Sequence, residues 1–257
     1  MFQFSTEVTS SKINSDNPLF QRTLKAYQIV EQKIFGSVLE IGCGEGYGIP
    51  YLMKNADELH VIDKSKQTIS SIKKRYTSIY AYQIHTPPIT QLKSNSFDCI
   101  VSFQVIEHIK DVHSFMSEIK RLLKPDGKAY ISTPNKLLSI ARNPWHYKEF
   151  DFQELNNLCE HYFDNFTIKG INGNENTENY YSKNKVSVEK IKKIDILNLE
   201  RRLPSLFLKI PYEFLNRVNR LSLLKSNKSL VSSITIDDYQ LAPYNNKSLD
   251  LFCVLTK

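Results

Sequence analysis

An apolar strand that runs into alternating glycines limits this chain more than any other stretch. It reads Val38-Leu39-Glu40-Ile41-Gly42-Cys43-Gly44-Glu45-Gly46-Tyr47-Gly48, then a short helical run, then Leu59-His60-Val61-Ile62-Asp63. Glycine lets a backbone turn sharply and approach a ligand with no Cβ in the way, so Gly42, Gly44 and Gly46 predict a nucleotide-type cradle between a strand and a helix. The second strand ends in Asp63, about twenty residues after the first glycine, where a carboxylate can accept hydrogen bonds from both hydroxyls of a ribose. The spacing is GxGxG rather than the GxGxxG of a pyrophosphate site. Glu40, one residue inside the strand, would repel a pyrophosphate and suits a cationic ligand. The unit therefore predicts a βαβ fold that holds an adenosine attached to a sulfonium or ammonium group.

The rest of the chain continues that alternation of strand and helix. Asp16-Asn17-Pro18 supplies a cap and a first-turn proline for a helix reaching Phe35-Gly36. A helix over 66–76 and a strand near 79–84 come next. Asn95-Ser96-Phe97-Asp98 turns into the apolar run Cys99-Ile100-Val101. Phe115, Met116, Ile119, Leu122 and Leu123 recur at helical spacing over 112–123, and Lys124-Pro125-Asp126-Gly127 leads into a strand over 128–133. A helix over 153–161, a strand near 166–171 and a last strand in 249–255 complete the series. Residues 172 to 240 stand between those two strands as an insertion, turn-rich from Asn172 to Tyr180, with Val188, Ile191, Ile194 and Leu197 recurring at helical spacing.

The segment from Val38 to Gly46, together with Asp63 and the run from Phe97 to Asn135, resembles the class I S-adenosylmethionine-dependent methyltransferases, in their quinone-methylase-like type 11 branch. The resemblance implies an α/β, Rossmann-like, seven-stranded sheet of order 3-2-1-4-5-7-6, with strand 7 antiparallel and helices on both faces. It covers a cofactor-binding core (36–171) and a final core strand (241–257), and leaves an arm and lid helix (1–35) and a basic insertion or lid (172–240) that are expected to set the substrate. It assigns S-adenosylmethionine to Glu40, Gly42, Cys43, Gly44, Gly46, Asp63, Gln83, Ile84 and Phe103. Residues 83–89 carry no acid where the family places one against adenine, so Gln83 or the backbone at Ile84 takes that contact.

Methyl transfer to a hydroxyl needs alignment and removal of a proton. Gln104, Glu107 and His108 follow the fourth strand and are expected to open a helix, and the loop carrying His146 follows the fifth, at the sheet end where such folds bind ligands. His108 or His146 is the expected general base. Glu107, His108 and His146 are alternatively ligands of a divalent metal, although Gln104 replaces the glutamate that the resembling quinone and RNA methylases carry there.

Charge narrows the partners. The chain of 257 residues carries +7, and between Lys183 and Lys228 twelve Lys/Arg face four acids, so all of the surplus belongs to the insertion. The segment Leu203–Leu215 adds apolar bulk. The combination is expected to lie on an anionic membrane surface, cover a hydrophobic substrate or pair with a second subunit. Four scattered cysteines without a CxxC pair point away from zinc and disulfides, and no signal peptide or spanning run is visible, which predicts a cytoplasmic protein, peripheral to a membrane if bound to one. The expected activity is O-methylation of a hydrophobic or lipid-linked small molecule such as a quinone precursor or a glycan-lipid. The alternatives are a 2′-O-methyltransferase acting on RNA, and a cofactor-binding protein without catalysis.

Overall fold

The computed structural model describes residues 9–193, 195 and 199–257, so the first residues of the arm and two of the helically spaced apolar positions, Ile194 and Leu197, lie outside the described residues. Helix α1 (Asn17–Glu31) begins at the Asp16-Asn17-Pro18 turn, where proline's missing N–H is no loss. Strand β1 (Ser37–Ile41) leads through the glycine loop to α2 (Ile49–Leu52) and β2 (Glu58–Asp63). Helix α3 (Lys66–Arg75) is capped by Ser65 and precedes β3 (Tyr80–Gln83) and β4 (Phe97–Phe103). Helix α4 (Val112–Leu122), capped by Asp111, runs directly into β5 (Leu123–Pro134). Helix α5 (Phe152–Tyr162) starts from a reciprocal cap between Asp151 and Glu154 and is followed by β6 (Asn165–Gly173). The insertion is helical: α6 (Glu175–Lys192), α7 (Leu199–Arg202), α8 (Ser205–Ser226) and α9 (Lys228–Ser233). Strands β7 (Tyr239–Pro243) and β8 (Asp250–Thr256) close the chain.

The strands form one sheet in the order β3-β2-β1-β4-β5-β8-β6-β7. Strands β1 to β5 pair in parallel, and β8 runs antiparallel between β5 and β6. This is the expected 3-2-1-4-5-7-6 order with one correction: there are eight strands, because Tyr239–Pro243 adds an antiparallel edge strand to Lys169–Gly173. Five residues ending in proline carry too little alternation to be read as a strand, and proline suits an edge where its missing N–H faces no partner. The stretch expected to be turn-rich, Asn172 to Tyr180, is instead the end of β6 and the start of α6, whose Asn174 side chain caps Thr177 N.

Central strands are buried on both faces, which is why β1 and β4 read as continuous apolar runs rather than alternating ones. One face packs Phe115, Met116, Ile119, Leu155 and Leu158 of α4 and α5. The other packs Tyr27 and Val30 of α1, Ile49 and Leu52 of α2, Tyr180 of α6, and Val231 of α9. The carboxyl ends of β1, β2, β4 and β5 therefore open between two helical layers, and the candidate site is built there.

Candidate active site

Gly42 sits at φ +78, and a Cβ on it would stand 2.5 Å from Val105 Cγ2, so the loop closes against the β4 turn only with glycine in that place. Gly42 N–H and Cys43 N–H donate to Ile62 O at 2.8 and 3.2 Å, which pins the loop across the end of β2. Asp63 accepts from Gly44 N–H at 3.0 Å through one oxygen and from Ser65 N–H at 2.8 Å through the other. An ionised carboxylate offers about four acceptor positions, so two remain for a ribose diol. Gln83 donates its amide to Lys64 O at 3.3 Å, and Ile84 is buried with its N–H on Asp63 O at 3.0 Å.

Glu40 is 1% exposed, and Tyr27 of α1 donates its hydroxyl to Oε1 at 2.6 Å. Its other oxygen, Oε2, is buried without a hydrogen-bond partner among the described residues. Burial pushes the carboxyl up to about 8, with the Tyr27 hydrogen bond opposing and the nearby Asp63 charge adding to the rise. A half-satisfied buried acid of this kind is what a cationic ligand would complete. Tyr27 also packs edge-on against Phe103 with ring centroids 4.8 Å apart. Tyr47, at the other side of the loop, is held by Glu45, by Ser10 Oγ and Ser11 N–H at 3.3 Å each, and by the edge of Phe20 at 4.8 Å. The N-terminal segment thus covers the glycine loop. Tyr27 and Tyr47 were not legible as site residues, because a tyrosine in a helix or a glycine loop has no spacing signature of its own.

The second group lies past β4. Gln104, Glu107 and His108 were expected to open a helix, and the structure corrects this. Gln104 takes φ +57 with its N–H on Ser132 O at 2.9 Å, and only a single turn of 3-10 helix, Ile106–His108, precedes α4. The link to β5 outcompetes helix nucleation, since a short helix start offers a single bond for several fixed dihedrals. Gln104 donates its amide to Ser132 Oγ at 3.3 Å, while Glu107 is buried and accepts from Thr133 Oγ1 at 2.9 Å. Burial raises the Glu107 carboxyl to about 7, opposed by the His146 charge and the Thr133 bond.

His108, Glu107 and His146 do converge: one ligand atom from each lies within 4.8 Å of the others, and the two imidazole centroids are 4.8 Å apart at 86°. The loop is stitched to the turn by Tyr147 N–H donating to Glu107 O at 2.8 Å. His108 Nδ1–H donates to Trp145 O at 3.0 Å, which fixes the tautomer whose lone pair is on Nε2. Asn143 Nδ2 donates to His146 Nε2 at 2.8 Å, and His146 Nδ1–H donates to Glu149 Oε1 at 2.7 Å, so both nitrogens of His146 are engaged. Burial raises Glu149, but the bonds from His146 and Ser139 outweigh it and hold its carboxyl below the usual range. An open cleft of ≈ 530 Å³ begins at His146 and is lined by Lys136, Arg142, Glu149, Lys192 and Glu200.

A buried pair beside this group carries no motif. Asp250, the first residue of β8, lies 3.2 Å from Arg22 Nε of α1, and Arg22 Nη1 donates to Tyr181 OH at 3.3 Å. Burial raises Asp250, opposed by Arg22 and by a hydrogen bond from Gln104. The sequence signal was an acid opening an otherwise apolar strand, with a partner more than two hundred residues away.

Residues 39–131 match the family model described as a methyltransferase domain. The chain is 34% identical over 160 residues to a protein of Mycolicibacterium smegmatis named "Probable S-adenosylmethionine-dependent methyltransferase", covering 60% of this chain and 62% of that one. It is 30% identical over 137 residues to a ubiquinone biosynthesis O-methyltransferase of Pelagibacter ubique, covering 49% and 57%. The chain thus spans less than two thirds of the length of these relatives. In fold it resembles a SAM-dependent methyltransferase of Thermotoga maritima, with a TM-score of 0.57, 15% identity, and 93% and 91% of the two chains covered. Residues 39–131, which carry the glycine loop and its two flanking acids, are thus similar to a methyltransferase domain, and the relatives that match them bear the names of S-adenosylmethionine-dependent methyltransferases.

Proposed function

We propose that the protein transfers the methyl group of S-adenosylmethionine to a hydroxyl of a hydrophobic or lipid-linked small molecule. The carrying observation is that the half-satisfied Glu40 and the Asp63 cradle open at the same sheet end as the paired imidazoles of His108 and His146. The similarity to a ubiquinone biosynthesis O-methyltransferase supports oxygen as the acceptor atom. When bound, the cofactor supplies an electrophilic methyl on a cationic sulfur, whose C–S electron pair returns to sulfur as the new O–C bond forms. Glycine loop and Asp63 hold the nucleoside, and Glu40 meets the cationic end. His108 Nε2 accepts the acceptor's hydroxyl proton as the oxygen attacks, and the carbonyl of Trp145 stabilises the resulting imidazolium at Nδ1.

A second reading rests on the convergence of Glu107, His108 and His146: two imidazoles and a carboxylate suit a transition-metal cation better than magnesium. Such an ion would lower the acceptor's pKa, and Asn143 would have to release His146 Nε2. Incubating the protein with methyl-labelled cofactor and cell extract, then reading labelled metabolites and S-adenosylhomocysteine by mass spectrometry, tests both. Under the base reading, turnover persists in chelator and His108→Ala lowers it about 10²–10⁴-fold. Loss of turnover in chelator, restored by zinc or manganese, would favour the metal. A label in RNA would make the acceptor a 2′-hydroxyl, and no turnover with any fraction would leave a cofactor-binding protein.

A further inference from the structure

Helix α8 has one side buried against the body of the protein and an apolar row on the other that is exposed. At about 100° per residue, Leu206, Phe207, Ile210, Phe214, Val218 and Leu221 fall within an arc of about 120°. All six are exposed, between 44 and 83%. Leu208, Asn219, Arg220 and Leu223 occupy the opposite side and are buried against the body of the protein. Single exposed leucines are ordinary, but a row of six large side chains on one helix marks a surface that meets something apolar.

The charge around that row identifies what it meets. Among the described residues of 183–228, Lys183, Lys185, Lys190, Lys193, Arg202, Lys225 and Lys228 are exposed, and Glu189 is the one exposed acid. Lys225 is on α8, and Arg202 and Lys228 stand beyond its two ends on α7 and α9; the other four are on α6 or just past it, and α6 is joined to α8 on the side away from the apolar row, by Asn219 Nδ2 donating to Asn184 Oδ1 at 2.8 Å. A second copy of the chain would bring the same cations against one another, like charge facing like. A bilayer with anionic headgroups satisfies the apolar row together with Arg202, Lys225 and Lys228 on α8 and at its ends. No described helix is long and apolar enough to cross a membrane, so the contact is with the surface.

We propose that α8 seats the protein on an anionic lipid bilayer, with the six apolar side chains entering the headgroup boundary. The helix is also wired to the loop that carries His146. Lys209 lies 3.8 Å over the Trp145 ring, and Arg142 donates to Ser205 Oγ at 2.8 Å and to Leu203 O at 3.0 Å. Ser205 and Lys209 stand on the side of α8 away from the apolar row, so α8 lies between such a bilayer and the loop that lines the candidate cleft.

Co-sedimentation with vesicles tests this without cofactor, so its outcome is separate from that of the methyl-transfer reading, which is followed by binding of S-adenosylhomocysteine. The expected result is at least tenfold more protein bound to phosphatidylglycerol–phosphatidylcholine vesicles than to phosphatidylcholine alone, with binding reduced by salt. The double substitution Ile210→Glu/Phe214→Glu should lower binding tenfold or more with the melting temperature and S-adenosylhomocysteine affinity unchanged. Lys225→Glu/Lys228→Glu should weaken only the anionic preference. The proposal is overturned if the wild-type protein stays in the supernatant, or if the double variant sediments like wild type. It is equally overturned if scattering shows a wild-type dimer that the double variant dissociates, or if the variant loses RNA binding instead.

Discussion

Glu40 is asked to do two things that conflict in the absence of ligand. Its carboxyl is buried with one oxygen unpartnered among the described residues, so the ligand-free fold favours the protonated form up to about pH 8, while a cationic cofactor favours the ionised form. Between the ordinary value of 4.5 and about 8, the unfolded chain is ionised at this position while the folded one keeps its proton. Its contribution to stability is therefore complete below pH 4.5 and is lost as pH rises through 8, by on the order of 3–5 kcal/mol at full ionisation. Glu40→Gln keeps the shape and removes the titration. Thermal melts should show the variant gaining on wild type steadily from pH 5 to pH 8. Calorimetry should show the reverse for ligand: S-adenosylmethionine affinity rises with pH between 6 and 8 in wild type and is lower and flat in the variant. A flat wild-type profile would mean that the cation is met elsewhere. The acid's place inside β1 was legible in the sequence, whereas Tyr27, which holds it, was not, because nothing in a helical pattern says which tyrosine reaches across to β1.

Elements meet at this site through close approaches that single residues permit. Gly48 has an ordinary φ, yet a Cβ there would lie 1.9 Å from Tyr27 Cε1, so α1 reaches the glycine loop only over a bare backbone. Gly48→Ala carries no backbone penalty and tests packing alone. Overpacking of this kind costs typically about 1–3 kcal/mol, and relief requires α1 to lift. The expected outcome is a lower melting temperature together with weaker S-adenosylhomocysteine binding, since lifting α1 withdraws Tyr27 from Glu40. A variant that melts lower but binds ligand normally would separate the lid from the cradle. The glycine pattern located the β1–β2 unit correctly because a loop pressed against Val105 and the end of β2 demands glycine at Gly42. The turn after β4 was misread as helix, since Val105, Ile106 and Ile109 fit a helical face and the competing bond from Gln104 N–H to Ser132 O belongs to a distant strand. Edge strand β7 was missed for the same reason, its pairing with Lys169–Gly173 being set by the sheet already formed.

At the scale of the whole molecule, the basic insertion is less free than its sequence charge suggests. Asp16, fully buried ahead of α1, accepts from Arg217 Nη1 at 2.8 Å and Arg220 Nη1 at 3.0 Å, so two of its arginines lock α8 to the start of the chain. Asn17 Nδ2 adds bonds to Val231 O and Ile234 O at 2.8 Å each, and Tyr239 OH donates to Pro18 O at 2.7 Å. The turn ahead of α1 is thus the point where α8, α9 and β7 are all fastened. Removing the acid leaves two guanidinium groups with no buried counter-charge, a change that typically costs about 3–5 kcal/mol. Asp16→Ala should lower the melting temperature by roughly 6–15 °C for a chain of this size. Hydrogen exchange locates the loss: amides of α8 and of residues 10–16 should exchange faster together, while β1, β4 and β5 keep their protection. Arg220→Ala should cost more than Arg217→Ala, because Arg220 is the more buried of the two. If Asp16→Ala melts low but leaves α8 protected, the insertion is held by the packing of α6 and α9, and the carboxylate serves α1 alone.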